Sequence, residues 1–170
     1  MIKPDTLENQ ANIIFIGIGS NLGNRKLNIE KAKFYLYKNK IKFFKVSKYY
    51  ETPSWPDPSK PRFLNIVLKA SCNLNPIDLL KICKLIEIKL GRKQNIRNSP
   101  RTCDIDIIDF NGMKLNESIN LPHKLMHKRN FVLFPLFEIE KQWFHPILNK
   151  DVKKLIFSLP NKEIRSIKQI

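Results

Sequence analysis

Residues 75–110 read NPIDLLKICKLIEIKLGRKQNIRNSPRTCDIDIIDF and predict a helix, a polar loop and a strand, in that order. Asn75 and Pro76 are typical of a helix start, because an asparagine side chain caps free backbone N–H groups and proline fits the first turn. Apolar residues at helical spacing continue to Ile88, and Gly91 ends the pattern. An arginine-bearing loop then leads into CDIDIIDF, residues 103–110, whose composition indicates a strand.

The chain before residue 75 predicts a matching set of elements. They are a buried strand at 13–18 (IIFIGI), a helix at 25–39 with Asn24 as its N-cap, a β-rich stretch at 41–50, a loop with four prolines at 51–61 and a strand at 63–71. Beyond residue 110 we predict a short hairpin and helices near 130–138 and 150–158. The order strand, helix, strand, strand, helix, strand is that of a ferredoxin-like βαββαβ core. The predicted fold class is therefore α+β, an antiparallel sheet with helices packed on one face, followed by a C-terminal hairpin and helices.

Length and composition indicate one globular domain. The chain has 170 residues, of which 42% are hydrophobic, and this is enough to bury a core without disulfides or a structural metal. We expect a single domain over residues 1–170, with loosely ordered tails at 1–12 and 160–170. The net charge of +16 comes mostly from dispersed lysines, so it predicts general attraction to polyanions and no specific nucleic-acid partner.

The cysteines and the apolar runs bear on the compartment. Cys72, Cys83 and Cys103 form no CxxC pair, which predicts reduced thiols and neither a disulfide framework nor a zinc site. The apolar run at 13–18 is too short for a signal core or a membrane span. We therefore predict a cytoplasmic monomer with no membrane partner.

Asp104 and Asp106 carry the strongest chemical signal. Residues two apart on a strand point to the same face, roughly 6.5–7 Å apart, and two carboxylates there can hold hard cations while leaving positions for phosphate oxygens. Alone, the pattern is also typical of the solvent-facing side of a strand. Arg92, Arg97 and Arg101 favour the metal hypothesis, because guanidinium groups bind phosphate. If the two carboxylates are unpaired without metal, their repulsion predicts that Asp→Asn replacements do not lower the melting temperature.

Other positions carry weaker signals. Phe63 and Asn65 share one face of a predicted strand, where a ring could stack on a planar heterocycle and an amide could bind its edge. The segment LPHKLMHKRNFVLFPL places His123 and Arg129 close to the ring of Phe131. In isolation, each of these patterns is more typical of an ordinary core or surface position.

Together, four ordered segments resemble the 6-hydroxymethyl-7,8-dihydropterin pyrophosphokinases of folate biosynthesis, especially the bacterial single-domain type. The segments are IGIGSNLGNR (16–25), YYETPSWPDPSKPRFLNIV (49–67), GR…SPRTCDIDII (91–108) and LPHKLMHKRNFVLFPLFEI (121–139). The resemblance implies a transferase that moves the diphosphate of ATP onto the hydroxymethyl group of the dihydropterin and releases AMP. It also implies two Mg²⁺ ions at Asp104 and Asp106, with ATP as co-substrate.

The same resemblance assigns side chains to each substrate. The catalytic set that it implies is Arg92, Arg101, Asp104 and Asp106. The ATP-binding set is Glu87, Arg92, Arg101, Ile107, His123 and Arg129. The pterin-binding set is Thr52, Pro53, Trp55, Phe63, Asn65 and Phe131. The chain departs from the best-known members at Gln94 and Asn98, where those members carry arginine and tryptophan.

Two alternatives stay open at this point. A basic ferredoxin-like domain could bind RNA through aromatic residues on its sheet, which the charge fits and the Asp-x-Asp pair does not. An inactive relative with a structural role is the other alternative, and the intact set of acidic, arginine and histidine residues argues against it. AMP formation from ATP and the pterin would separate all three hypotheses.

Overall fold

The computed structural model describes residues 11–92 and 99–170. The elements in chain order are β1 (Asn12–Ser20), α1 (Arg25–Lys38), β2 (Lys42–Val46), β3 (Tyr50–Thr52), β4 (Phe63–Cys72), α2 (Pro76–Lys89), β5 (Asp104–Phe110), β6 (Leu115–Asn116), β7 (Asn120–Leu121), a 3₁₀ turn (Met126–Lys128), α3 (Asn130–Ile139), β8 (Phe144–His145), β9 (Lys150–Asp151), α4 (Val152–Phe157), α5 (Asn161–Ser166) and β10 (Lys168–Gln169).

The main sheet is antiparallel throughout and has the strand order β10-β3-β4-β1-β5. β2 pairs with the far end of β4, so β2 and β3 lie in succession along the same edge of that strand. Counted together as one strand, they complete the predicted βαββαβ arrangement. The predicted helix starts are also confirmed, because Asn24 accepts a hydrogen bond from the N–H of Leu27 and Asn75 accepts one from that of Asp78.

The two faces of the sheet bury different sets of residues. Alternate residues of β1 (Ile14, Ile16 and Ile18) pack with α1 and α2 in the larger core. The opposite face carries Phe15 and Val67 and is covered over part of its area by α3 and α4. The C-terminal helices thus pack on the face that the first two helices leave open, and the rest of that face remains accessible beside them.

Two details differ from the sequence-based expectations. The stretch 41–50 is divided between β2 and β3, because Ser47 breaks the strand and exchanges hydrogen bonds with Val67 through its own N–H and hydroxyl. Residues 160–170, expected to form a loose tail, contain α5 and β10: the amide of Asn130 donates to the Glu163 carbonyl of α5, and β10 pairs with β3. The sequence signal was weak because α5 buries none of its residues. The predicted tail at 1–12 lies mostly outside the described residues.

Among the described residues, no helix has the length and apolar character needed to cross a membrane.

Candidate active site

Two glycines open a cleft in the free part of the sheet. Gly17 and Gly19 of β1 lie opposite Asp106 and Asp104 of β5, and β4 lies on the other side with Asn65 opposite Gly19. A Cβ atom on Gly19 would lie 2.8 Å from the side-chain oxygen of Asn65, so any other residue type would force Asn65 to shift. Because Gly17 and Gly19 carry no side chain on this face of the middle strand, they leave space between the acidic strand β5 and the aromatic strand β4, and residues of both strands line the same cleft.

Asp104 is held by two arginines at the charged end of this cleft. Arg92 donates from Nη1 to Asp104 Oδ1 at 2.7 Å, and Arg101 donates to the same oxygen at 3.2 Å. Burial alone would lower the pKa of Arg92, but the nearby charges of Asp104 and Glu87 outweigh this effect and raise it. Arg92 is therefore cationic in the ligand-free protein and neutralises the carboxylate beside it.

Asp106 has its own cation. Arg129 donates from Nη1 to Asp106 Oδ2 at 3.0 Å. His123 lies on the same side, with Nε2 3.8 Å from that oxygen. The expectation that the two carboxylates are unpaired and repel each other without metal is thus wrong, because an arginine pairs with each of them.

His123 lies beside the cleft, next to Asp106, and is not part of the cleft lining. Burial lowers its pKa more strongly than the Asp106 charge raises it. Its Nδ1 atom accepts a hydrogen bond from the N–H of Leu125 at 3.2 Å, and its Nε2 atom lies 3.3 Å from Nη1 of Arg129. The ring is therefore held between Asp106 and Arg129 at the charged end of the cleft.

Glu87 is a buried carboxylate that contacts β5 and Arg92 at the charged end. Its side chain is 1% exposed, and one oxygen accepts the N–H of Ile105 at 2.7 Å, which fixes the carboxylate against β5. The other oxygen is 2.7 Å from Nη1 of Arg92. Burial raises the pKa of Glu87 despite the opposing effects of Lys84, of this backbone N–H and of Arg92. Its position fits a residue that holds Arg92 in place more closely than one that touches a nucleotide.

The other end of the cleft is aromatic and rich in neutral hydrogen-bonding groups. Asn65 is buried and donates from Nδ2 to Thr52 Oγ1 at 3.2 Å, so the orientation of its amide is fixed. Phe63 stands two residues before it on the same face of β4, opposite Thr52 in the register. Pro53 completes the wall that these residues form.

Two further rings lie near the cleft mouth. The guanidinium carbon of Arg129 lies 5.5 Å from the ring centroids of both Trp55 and Phe131. That of Arg101 lies 5.9 Å from the ring of Phe63. Arg101 and Arg129, which pair with Asp104 and Asp106, therefore lie between the charged end and the aromatic end.

The structure thus brings most of the predicted site residues into one cleft. Its lining contains Thr52, Pro53, Trp55, Phe63, Asn65, Arg92, Arg101, Asp104, Asp106, Arg129 and Phe131. The side chain of Ile107 is not part of it, since that residue is buried in the core under α1 and α2. Arg97, Gln94 and Asn98 lie outside the described residues.

Lys84 is a lining residue that the sequence reasoning missed. Its Nζ atom lies 3.0 Å from the Glu87 carboxylate, one turn further along α2, and its side chain is 47% exposed. The i,i+3 spacing from Glu87 on a predicted helix was the available signal. Gly17 and Gly19 were quoted for their position in the chain, but the need for glycine becomes visible only when β4 is seen beside β1.

Comparison with known proteins gives this arrangement a family. The family model described as 7,8-dihydro-6-hydroxymethylpterin-pyrophosphokinase (HPPK) matches residues 15–141. The chain belongs to the HPPK family. Two bacterial proteins named 2-amino-4-hydroxy-6-hydroxymethyldihydropteridine pyrophosphokinase are similar over most of both lengths. The Aquifex aeolicus protein is 37% identical over 83% of this chain and 88% of the relative. The Bacillus subtilis protein is 38% identical over 77% and 80%.

The HPPK chain is also similar to parts of longer proteins. A Dictyostelium discoideum protein named Folic acid synthesis protein FOL1 is 37% identical over 88% of this chain, which corresponds to 23% of that protein. A crystal structure of an HPPK-DHPS in complex with substrates superposes with a TM-score of 0.74 at 14% identity, over 94% of this chain and 46% of that one. The HPPK chain therefore spans under half of these longer proteins, and the superposition confirms the predicted fold.

Proposed function

We propose that the chain transfers the diphosphate of ATP to the hydroxymethyl group of 6-hydroxymethyl-7,8-dihydropterin, giving AMP and the pterin diphosphate, in folate biosynthesis. The observation that carries the proposal is the two-ended cleft: paired aspartates and arginines at one end, and rings with a fixed amide at the other. The family assignment favours this enzyme over the RNA-binding alternative. A cytoplasmic location, a monomeric state and the lack of a nucleic-acid or membrane partner remain predictions.

The residues at the charged end fit magnesium. The described residues contain no group of three or more His, Cys, Asp or Glu side chains that could hold a metal. Asp104 and Asp106 are a pair of carboxylates, which is the protein share expected for Mg²⁺ bound together with substrate phosphates. Two bound Mg²⁺ ions would supply neutralisation of charge on the phosphate oxygens. We propose Asp104 and Asp106 as their protein ligands.

The cations around this pair suit a triphosphate. Among the described residues, the Nε–H groups of Arg101 and Arg129 are buried and have no hydrogen-bond partner. Buried donors of this kind are costly unless a ligand accepts from them, and phosphate oxygens are suitable acceptors. We propose that Arg92, Arg101, Arg129 and His123 bind the phosphates.

In the proposed reaction the pterin hydroxyl attacks the β-phosphorus, the bond from that phosphorus to the α,β-bridging oxygen breaks, and AMP leaves. Thr52, Pro53, Trp55, Phe63, Asn65 and Phe131 would hold the pterin, and the arginines would balance the charge that develops on the oxygens. Most of the acceleration in such reactions comes from position and electrostatics. The proton of the attacking hydroxyl is released to solvent, and the proposed reaction uses no dedicated general base.

The test is product analysis of purified protein with ATP, Mg²⁺ and the hydroxymethyl-dihydropterin. We expect AMP, no ADP, and a pterin diphosphate whose formation matches AMP in amount. Asp106→Asn should abolish most of the signal, whereas Asp78→Asn, an exposed aspartate at the far end of α2, should keep it. Formation of ADP, or equal loss in both variants, would contradict the proposal.

A further inference from the structure

Asn21 is a buried residue next to the cleft that has no part in the proposed substrate contacts. It follows the last residue of β1 and does not line the cleft. It is 4% exposed, so its amide must be paired within the protein to be tolerated. The structure shows that all the hydrogen-bonding groups of this amide are used, and that they connect two separate segments.

One side of Asn21 holds the backbone of Arg101. The Asn21 N–H donates to the Arg101 carbonyl at 3.1 Å, and Asn21 Oδ1 accepts the Arg101 N–H at 2.7 Å. Both backbone groups of Arg101 are therefore bonded to one residue. This contact continues the pairing between β1 and β5 beyond its last strand pair, Gly19 with Asp104, and fixes the point from which the Arg101 side chain enters the cleft.

The other side of Asn21 closes the base of the proline-rich loop. Its Nδ2 donates to Ser54 Oγ at 3.3 Å and to the Pro61 carbonyl at 3.1 Å. Ser54 Oγ also donates to the Pro61 carbonyl, at 2.6 Å. Ser54 and Pro61 lie near the two ends of the loop that carries Trp55, so these bonds hold the two ends of the loop together.

We propose that Asn21 is a positioning residue that couples the pterin end of the site to the nucleotide end by holding the Trp55 loop and Arg101 in one fixed relation. This inference rests on the proposed function for the identity of the two substrates. Asparagine is the residue type that the position requires, because one short side chain must supply both an acceptor for Arg101 and two donors for the loop.

Substitutions can test the contacts of the amide oxygen and of the amide nitrogen separately. Asn21→Asp keeps an oxygen for the Arg101 N–H but places a second oxygen against the Pro61 carbonyl, so it should release the loop and keep Arg101. Asn21→Ala removes both sets of contacts. Asn12→Ala is the matched control, since Asn12 also bonds a distant carbonyl, that of Leu74, at the opposite end of β1.

Steady-state kinetics should show this separation. We expect Asn21→Asp to raise the KM for the pterin about tenfold with kcat within about twofold of wild type, and Asn21→Ala to raise that KM and also lower kcat about tenfold. Asn12→Ala should lower the melting temperature without changing either constant. If Asn21→Ala loses stability but keeps wild-type kcat and KM below its melting range, Asn21 is only structural and the inference fails.

A second measurement is independent of the substrates. In the ligand-free protein, amide hydrogen exchange at Arg101 should become at least tenfold faster in Asn21→Ala and stay close to wild type in Asn21→Asp, whereas exchange in residues 54–61 should rise in both. Unchanged exchange at Arg101 in Asn21→Ala would overturn the coupling. If the exchange pattern is as expected but the wild type forms no AMP, the proposed function is refuted. The inference that Asn21 holds Arg101 and the Trp55 loop together would still stand.

Discussion

The charged and aromatic ends of the cleft differ in whether a ligand must break existing hydrogen bonds to bind. At the charged end, Asp104 and Asp106 accept hydrogen bonds from arginines that phosphate would also attract. At the aromatic end, Asn65 bonds Thr52 inside the wall, and a ligand can enter without breaking that bond. Ligand binding should therefore exchange partners at the first end and only add contacts at the second. Substitutions should then change stability and activity together at the charged end, and affinity alone at the aromatic end.

The largest expected effect follows from Asp104→Asn and Asp106→Asn. Each removes one charge from the proposed metal pair, and loss of one such electrostatic element lowers turnover roughly 10²–10³-fold, or about 3–4 kcal/mol. Each also leaves an arginine without its carboxylate. Because Asp104 serves two arginines and Asp106 one, both ligand-free variants should melt below wild type, and Asp104→Asn should melt lower.

AMP formation and melting temperature, with and without magnesium and ATP, are the measurements for these variants. Wild type should gain stability when both ligands are added, and each variant should gain much less. A variant that keeps more than about a tenth of wild-type turnover would contradict the assignment of Asp104 and Asp106 as metal ligands. A variant that melts above wild type would show that the two carboxylates repel each other in the ligand-free protein, in spite of their arginine partners.

A smaller effect is expected for Phe131→Ala at the aromatic end. A stacking contact contributes roughly 0.5–1.5 kcal/mol beyond burial, so pterin affinity should fall several-fold while ATP affinity stays close to wild type. Phe157→Ala, at an exposed ring of α4, is the control that should change neither. Calorimetric titration of each ligand measures both affinities. An equal loss for ATP and pterin would show that Phe131 acts by holding Arg129, whose guanidinium lies 5.5 Å from its ring.

The sequence predicted the two ends of the cleft with unequal success, for physical reasons. The Asp-x-Asp spacing and the caps at Asn24 and Asn75 are local rules, and the structure follows them. The ion pairs are not local: whether Asp106 is paired depends on Arg129, which returns to β5 only after the β6–β7 hairpin and the 3₁₀ turn. The same holds for Asn21, whose bonds join it to residues 33 to 80 positions away.

The smallest expected effect concerns Glu87. It tests whether the buried charge of this carboxylate lowers the stability of the folded protein. Burial raises the pKa of this carboxyl above the ordinary value of 4.5, in spite of Lys84 and Arg92. The folded protein therefore binds this proton more tightly than the unfolded chain does. The stability that results is fully present below about pH 4.5 and is lost as the pH rises through the folded-state pKa.

Glu87→Gln keeps the shape and an oxygen for the Ile105 N–H but does not titrate. The free energy of unfolding of wild type, relative to this variant, should decrease as the pH is raised from about 4.5 to 7. Denaturant unfolding at several pH values measures the difference, and Glu117→Gln, at an exposed carboxylate, is the control. If wild type instead gains on the variant with rising pH, the ion pairs of Glu87 outweigh its burial. The charged end would then be stabilised by its buried charge, and the contrast with the aromatic end would rest on Asp104 and Asp106 alone.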